Sequence, residues 1–175
     1  MILESEELAL KRQSPIYAEF LGWGQATDGY HPTKPHPEGI GLVGAMRHAL
    51  HQSRINPSDI DYINAHATGT SVGDLAEIQA IKTVFPTSLK RPAISSTKAL
   101  TGHSLSCASV MEAAFTVLSM KEEFIPGSAN IENLDENAQD LWIPLQSIKR
   151  GASIAMSNNS GFGGANVSII FKKHR

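Results

Sequence analysis

A single cysteine, Cys107, is all the thiol chemistry that the 175 residues carry, so no internal disulfide staples the chain. A lone thiol fits a reducing compartment, and the cytoplasm is the expected location. Long hydrophobic runs are missing as well. The first apolar stretch, Met1-Ile2-Leu3, gives way at once to Glu4, which is too short for a signal-peptide core. Nothing approaches the roughly 18–20 apolar residues that a membrane-spanning helix requires. Charge of one sign is not in excess either. Fifteen basic against seventeen acidic residues leave a formal charge of −2, which offers no broad electrostatic footprint for nucleic acid or an anionic membrane.

What is present is the mixture of a folded globular protein, 41% apolar and 18% charged, at a length that supports one domain with its own core. Residues 16–22 are β-favouring and close on glycine, which predicts a strand. Residues 27–39 hold Pro32, Pro35 and Pro37 and form an irregular loop. Leu42, Val43, Met46, Ala49 and Leu50 share one face of a predicted helix over 40–53. After the turn Asn56-Pro57-Ser58-Asp59 come a short strand over 60–64, a helix over 71–85 and a strand over 92–96. Segment 104–120 is apolar around nearly its whole circumference, with Glu112 its only charge. It is therefore expected to be a helix buried on most sides, Cys107 included. Strands over 152–157 and 165–171 end the chain as a hairpin, before the basic run Lys172-Lys173-His174-Arg175. The order of elements predicts an α/β layered domain covering 1–175.

Three loops follow predicted strands: Ala65–Thr70, Thr97–His103 and Asn158–Gly164. In open α/β sheets ligand groups gather beyond the carboxyl ends of strands. If the strands are neighbours, His66, Lys98, His103 and the glycine loop share one crevice; otherwise these are caps and solvated turns. A histidine just before a helix N-terminus is kept neutral by the helix dipole and can donate to a developing oxyanion, which is the expectation for His103. Gly161-Phe162-Gly163-Gly164 has no helix after it, so it is not a phosphate-binding loop. It is either a hairpin turn or a strip of backbone N–H groups facing a ligand. His48 with His51, and His31 with His36, lack an accompanying carboxylate or cysteine set, so no metal site is expected.

Four stretches together are specific: IYAEFLGWG (16–24), DIDYINAHATGTSVGD (59–74), ISSTKALTGHSL (94–105) and MSNNSGFGGANVSIIF (156–171). The chain resembles, over essentially all its length, the C-terminal half of the elongating β-ketoacyl-acyl-carrier-protein synthases of fatty-acid synthesis. PGSANIENLDE (126–136) leans toward the type I enzyme. The resemblance implies a thiolase-like fold and a decarboxylative Claisen condensation of an acyl thioester with malonyl-acyl-carrier protein, with no cofactor. It places His66 and His103 as the two active-site histidines, Lys98 as their support and Glu112 as the buried acid behind them. Phe162 is placed as the gating residue whose N–H forms half of the oxyanion hole. Thr68 and Thr70 are placed on the phosphopantetheine arm, and Gly161 and Gly163 in the substrate-binding loop.

The implied partners are acyl carrier protein, a missing N-terminal half that holds the nucleophilic cysteine, and a second copy in a homodimer. Met1–Glu4 aligns with an interior strand of the family, so a truncated chain is expected. Ala67, Gly69, Ser160, Ser106, Cys107 and Ser109 depart from the usual residues. Ala67 matters if its position needs positive φ. Two other readings remain: a non-catalytic partner subunit like a chain-length factor, and a ketosynthase of polyketide or aryl-polyene synthesis.

Overall fold

In the computed structural model, which describes residues 1–86, 88 and 90–174, a five-stranded sheet organises the chain. The strands are β1 (Ala18–Thr27), β2 (Tyr62–Asn64), β3 (Ala93–Ser95), β4 (Ile154–Gly161) and β5 (Ala165–Lys173), in the order β1-β5-β4-β2-β3. β2 runs parallel to both its neighbours, while β5 is antiparallel to β4 and β1. The helices are α1 (Glu6–Lys11), α2 (Ile40–Ser53), α3 (Ser71–Val84), α4 (Lys98–Thr101) and α5 (Ala108–Lys121).

Alternation along the strands separates two cores. Ile63, Ile94, Met156 and Ile170 point to one face, where Met46, Ala49 and Leu50 of α2 and Ala80 and Ile81 of α3 meet them. Tyr62, Ala93, Ala155 and Phe171 point to the other, against Ala113 and Met120 of α5. The result is three layers with the sheet in the middle. Each fully enclosed Ile, Leu, Met or Phe among them contributes about 1.5–3 kcal/mol. α2 lies close on β1 because Gly24 has no side chain there. A Cβ at that position would stand 2.1 Å from the Ala45 carbonyl oxygen and 2.5 Å from the Ala49 nitrogen.

α2 has the bounds expected, and the other predicted elements are present with shifted ends. Three expectations need correction. α5 starts at Ala108, after a separate turn over Leu105–Cys107, because Leu105 takes φ 51° and interrupts the helix. α5 is not buried on most sides: Val110 and Leu118 are exposed, and Cys107 is a free, exposed thiol and not a core residue. Met1–Glu4 forms no strand. Met1, Ile2 and Leu3 line a hollow of about 990 Å³ beside β1 and α5 instead of pairing with a neighbour. The short α1 and α4 were not expected. Arg175 of the basic C-terminal run lies outside the described residues.

Candidate active site

The parallel strands β3, β2 and β4 are adjacent, so the loops that leave their carboxyl ends emerge along one edge of the sheet. Asn64 is level with Ser95 on one side and Ser157 on the other. His66 and Asn159, each two residues further on, therefore reach a similar height. The rings of His66 and His103 meet edge to face, with centroids 5.4 Å apart and planes at 90°. His66 is half-buried, whereas His103 is exposed.

Behind the histidines Lys98 and Glu112 form a buried ion pair, Nζ to Oε1, with 6% and 2% of each residue exposed. Lys98 begins α4, and Glu112 sits on the sheet-facing side of α5. Asn64 fixes that helix locally: its amide donates to the Glu112 carbonyl at 3.2 Å and to Thr116 Oγ1 at 3.1 Å. Burial pushes the Glu112 carboxyl up, opposed by the Lys98 ammonium and the Asn159 amide. Burial drives His66 down to about 4, and the Lys98 charge and His103 add to it, while Asn159 works against it. His66 Nδ1 and Glu112 Oε2 are buried without a hydrogen-bond partner among the described residues.

The helix-terminus argument applied to His103 does not hold, because α5 begins five residues later, and the dipole effect fades within a turn. His66 is the ring that its surroundings hold neutral. Thr68 and Thr70 lie on the same loop, with their hydroxyls 3.1 Å apart. Ala67 does take positive φ, 21°, and Gly69 follows at 77°.

Phe162 is not brought to the histidines by any hydrogen bond or ring contact among the described residues. It stands three residues past Asn159, about 10 Å of extended chain, and is 83% exposed. The turn it opens is tight: Gly163 and Gly164 take φ 83° and 76°, and Gly161 pairs across with Ala165. The glycine segment is thus a hairpin tip. It is tied to the proline loop, where the Gly163 N–H donates to the Pro32 carbonyl at 2.7 Å. Sequence reasoning missed the anchor of this arrangement. Asp28 accepts from the His36 and Gly41 N–H groups, both at 3.1 Å, and from the Asn166 amide at 3.0 Å, while its own N–H donates to Gly164 O at 2.8 Å. Glu77 and Asn159 were missed too, although Asn159 stands inside a motif and was open to notice.

Two hollows of the surface lie elsewhere, one beside α1 and one between α2 and α3, and neither is lined by His66 or His103. The cavity expected around the site residues is not one of them. Among the described residues, no group of three or more His, Cys, Asp or Glu stands close enough to hold a metal ion. Among the described residues, no helix is long and apolar enough to cross a membrane.

Residues 17–132 match the family model of the β-ketoacyl synthase, C-terminal domain. The chain belongs to that family. The β4–β5 hairpin lies beyond the matched residues. The "3-oxoacyl-[acyl-carrier-protein] synthase, mitochondrial" of Arabidopsis thaliana is 43% identical over 174 residues, covering 98% of this chain and 38% of the relative. The "3-oxoacyl-[acyl-carrier-protein] synthase 2" of Coxiella burnetii is 38% identical, covering 99% and 42%. Among solved structures, a β-ketoacyl synthase from Burkholderia phymatum superposes with TM-score 0.91 at 36% identity, over 98% of this chain and 41% of that one. A type II polyketide ketosynthase in complex with its acyl-carrier protein and a hexaketide gives 0.92 at 30% identity, over 98% and 42%. This β-ketoacyl synthase domain therefore has the thiolase-like fold, and it spans about two-fifths of the length of the relatives it matches.

Proposed function

We propose that this domain supplies the histidine half of a condensing site, where an acyl thioester and malonyl-acyl-carrier protein yield 3-oxoacyl-acyl-carrier protein. The observation that carries the reading is the His66–His103 pair, backed by the buried Lys98–Glu112 ion pair. In such a condensation the malonyl C–C bond breaks and carbon dioxide leaves. The electron pair passes to an enolate, whose carbon attacks the acyl thioester carbonyl and displaces the thiolate. Donors held beside the enolate oxygen stabilise the charge as it develops, and preorganised donors in a dry site are the largest contributor to such steps. A neutral His66 ring beside His103 fits that task.

Thr68 and Thr70 offer hydroxyls to a phosphopantetheine arm. Phe162 is assigned to the gate and its oxyanion hole, and Gly161 and Gly163 to substrate binding, an assignment that requires the hairpin tip to move toward the histidines during turnover. The nucleophilic cysteine comes from the remaining part of the enzyme, which works as a homodimer in the cytoplasm and draws its substrates from acyl carrier protein. A non-catalytic chain-length-factor role has no need of His66, Lys98 and His103 together.

The test is a chimera in which these 175 residues replace the matching part of the Coxiella relative. It is expected to load an acyl group, release carbon dioxide from malonyl carrier protein and form the 3-oxoacyl product. His103→Ala in the chimera is expected to lower decarboxylation and condensation by about 10²–10³-fold while acyl loading persists. A folded chimera that loads acyl groups yet releases no carbon dioxide would sink the reading.

A further inference from the structure

Along β4 the even-numbered side chains face α2. Met156 packs in the core shared with α2 and α3, and Asn158 Nδ2 reaches Met46 Sδ at 3.6 Å. Ser160, two residues on, keeps to that side. It stands directly opposite Asn166 in the β4–β5 pairing, one pair before the turn closes. Its hydroxyl donates to Asn166 Oδ1 at 2.7 Å. Asn166 is buried, and both of its amide hydrogens are spent on the tip. Nδ2 donates to Asp28 Oδ1 at 3.0 Å and to the Gly164 carbonyl at 2.9 Å. Among the described residues Ser160 is the partner of the amide oxygen, so the hydroxyl completes a chain from β4 through Asn166 to Asp28.

There is little slack in this chain. A Cβ on Gly41 would stand 2.2 Å from Asp28 Oδ1 and 2.5 Å from Asn166 Nδ2, so the start of α2 closes tightly over both groups. Hydrogen bonds linked in series polarise and strengthen one another. The turn itself has no need of the hydroxyl, because Gly163 and Gly164 supply its left-handed conformations. Position 160 is also one where this sequence departs from the residues usual in the family, so the hydroxyl is this chain's own addition to the tip. The position that these bonds hold is the one in which Phe162 is exposed and Gly163 is tied to Pro32.

We propose that Ser160 is a positioning residue of the gate: its hydroxyl locks the Asn166 amide onto Asp28 and the Gly164 carbonyl, and so holds the hairpin tip against the proline loop with Phe162 turned out. The tip moves toward the histidines when this chain of bonds gives way. Ser160 thereby sets how often Phe162 is released. The inference deepens the condensation reading and rests on the gate assigned to Phe162 there. Its test needs no turnover, so its failure leaves that reading standing.

The test uses the isotopically labelled 175-residue chain, with Ser160→Ala and Ser160→Thr as variants. Alanine removes the hydroxyl, whereas threonine keeps it at a strand position that it favours. The Asp28 and Gly163 amides, which tie the proline loop and the tip together, report the latch by hydrogen exchange. In Ser160→Ala both are expected to lose about two- to tenfold in protection, the net worth of one hydrogen bond. The Phe162 amide is expected to gain microsecond-to-millisecond exchange in relaxation dispersion, which is the range of lid motions. Met156 and Ile170, paired deeper in the same hairpin, keep their protection, and Ser160→Thr behaves as the parent. A folded Ser160→Ala chain with parent-like protection and a quiet Phe162 overturns the proposal. Equal loss at Met156 and Ile170 overturns it too, since the hydroxyl would then support the whole hairpin and not the tip. A threonine variant that resembles alanine shows that the hydroxyl is not the agent. If Ser160→Ala does not fold, the other two chains decide. Protected Asp28 and Gly163 amides in both support the latch, and exchange at open-loop rates in either overturns it.

Discussion

Burial beside the Lys98 ammonium and the His103 ring holds His66 neutral down to about 4, against 6.5 for an unperturbed histidine. The unfolded chain takes up this proton near the upper value and the folded chain near the lower. Between the two the unfolded state binds more protons, so stability from this residue falls as pH falls through that window. Glu77 and Glu112 act in the opposite sense. Their contribution is fully present below about 4.5 and is lost as pH rises through their raised values. The two trends separate by substitution. For His66→Asn, the melting temperature relative to the parent is expected to shift in favour of the variant as pH drops from about 6.5 toward 4. Thermal melts at a series of pH values check this, and a constant offset would count against it. At Lys98 the expectation is steeper. Lys98→Met leaves Glu112 enclosed without its partner, and breaking a buried pair from one side costs about 3–5 kcal/mol. Urea midpoints measure the loss, and adding Glu112→Gln is expected to recover part of it.

At the scale of elements, the edge of the sheet decides which groups meet. β4 runs four residues past the level of Asn64, so Asn159 reaches the level of His66 while Phe162 is carried beyond it on the hairpin tip. Asp28 ties that tip to the proline loop and to the start of α2 through His36, Gly41 and Asn166. Asp28→Ala strands the His36 and Gly41 N–H groups and takes one of two acceptors from the Asn166 amide, which keeps the Gly164 carbonyl; a donor left buried and unpaired costs about 1–3 kcal/mol. The variant is expected to be less stable and to exchange the Gly163 amide faster, which hydrogen exchange reads directly.

Hydrophobic periodicity made α2 legible to the residue, and strand-like runs located every strand to within a few positions. The start of α5 was not legible, because nothing local to Leu105 announces its left-handed backbone. Nor were the roles of Asp28 and Glu77. Asp28 meets Asn166 across 138 positions of sequence, and Glu77 acts through backbone groups that carry no side-chain signature. His66, Lys98, His103 and Glu112 were legible as a set only through the motifs around them, since a post-strand polar residue by itself looks like any cap.

On the scale of the whole molecule, the outward side of α5 and the turn before it present apolar side chains to solvent. Leu105 is 72% exposed, Val110 55% and Leu118 46%. Cys107, the one thiol, lies among them, exposed at the cap of α5. A thioester formed there would sit in water, and neither described hollow borders it to receive an acyl chain. On the function proposed above, the histidine pair acts on the malonyl group and needs no acyl chain bound at Cys107. The chain by itself is therefore expected to react at Cys107 with a thiol reagent yet to form no 3-oxoacyl product from acyl- and malonyl-carrier protein. Product analysis by mass spectrometry, with Cys107→Ser as the control, measures both halves of this expectation. Product that appears with the parent and vanishes with Cys107→Ser would mean that the domain carries its own nucleophile. The condensing step would then need no cysteine from elsewhere. Absence of product, together with full condensing activity in the Coxiella chimera, would place the nucleophile outside these residues and leave His66 and His103 as the part of the chemistry that they perform.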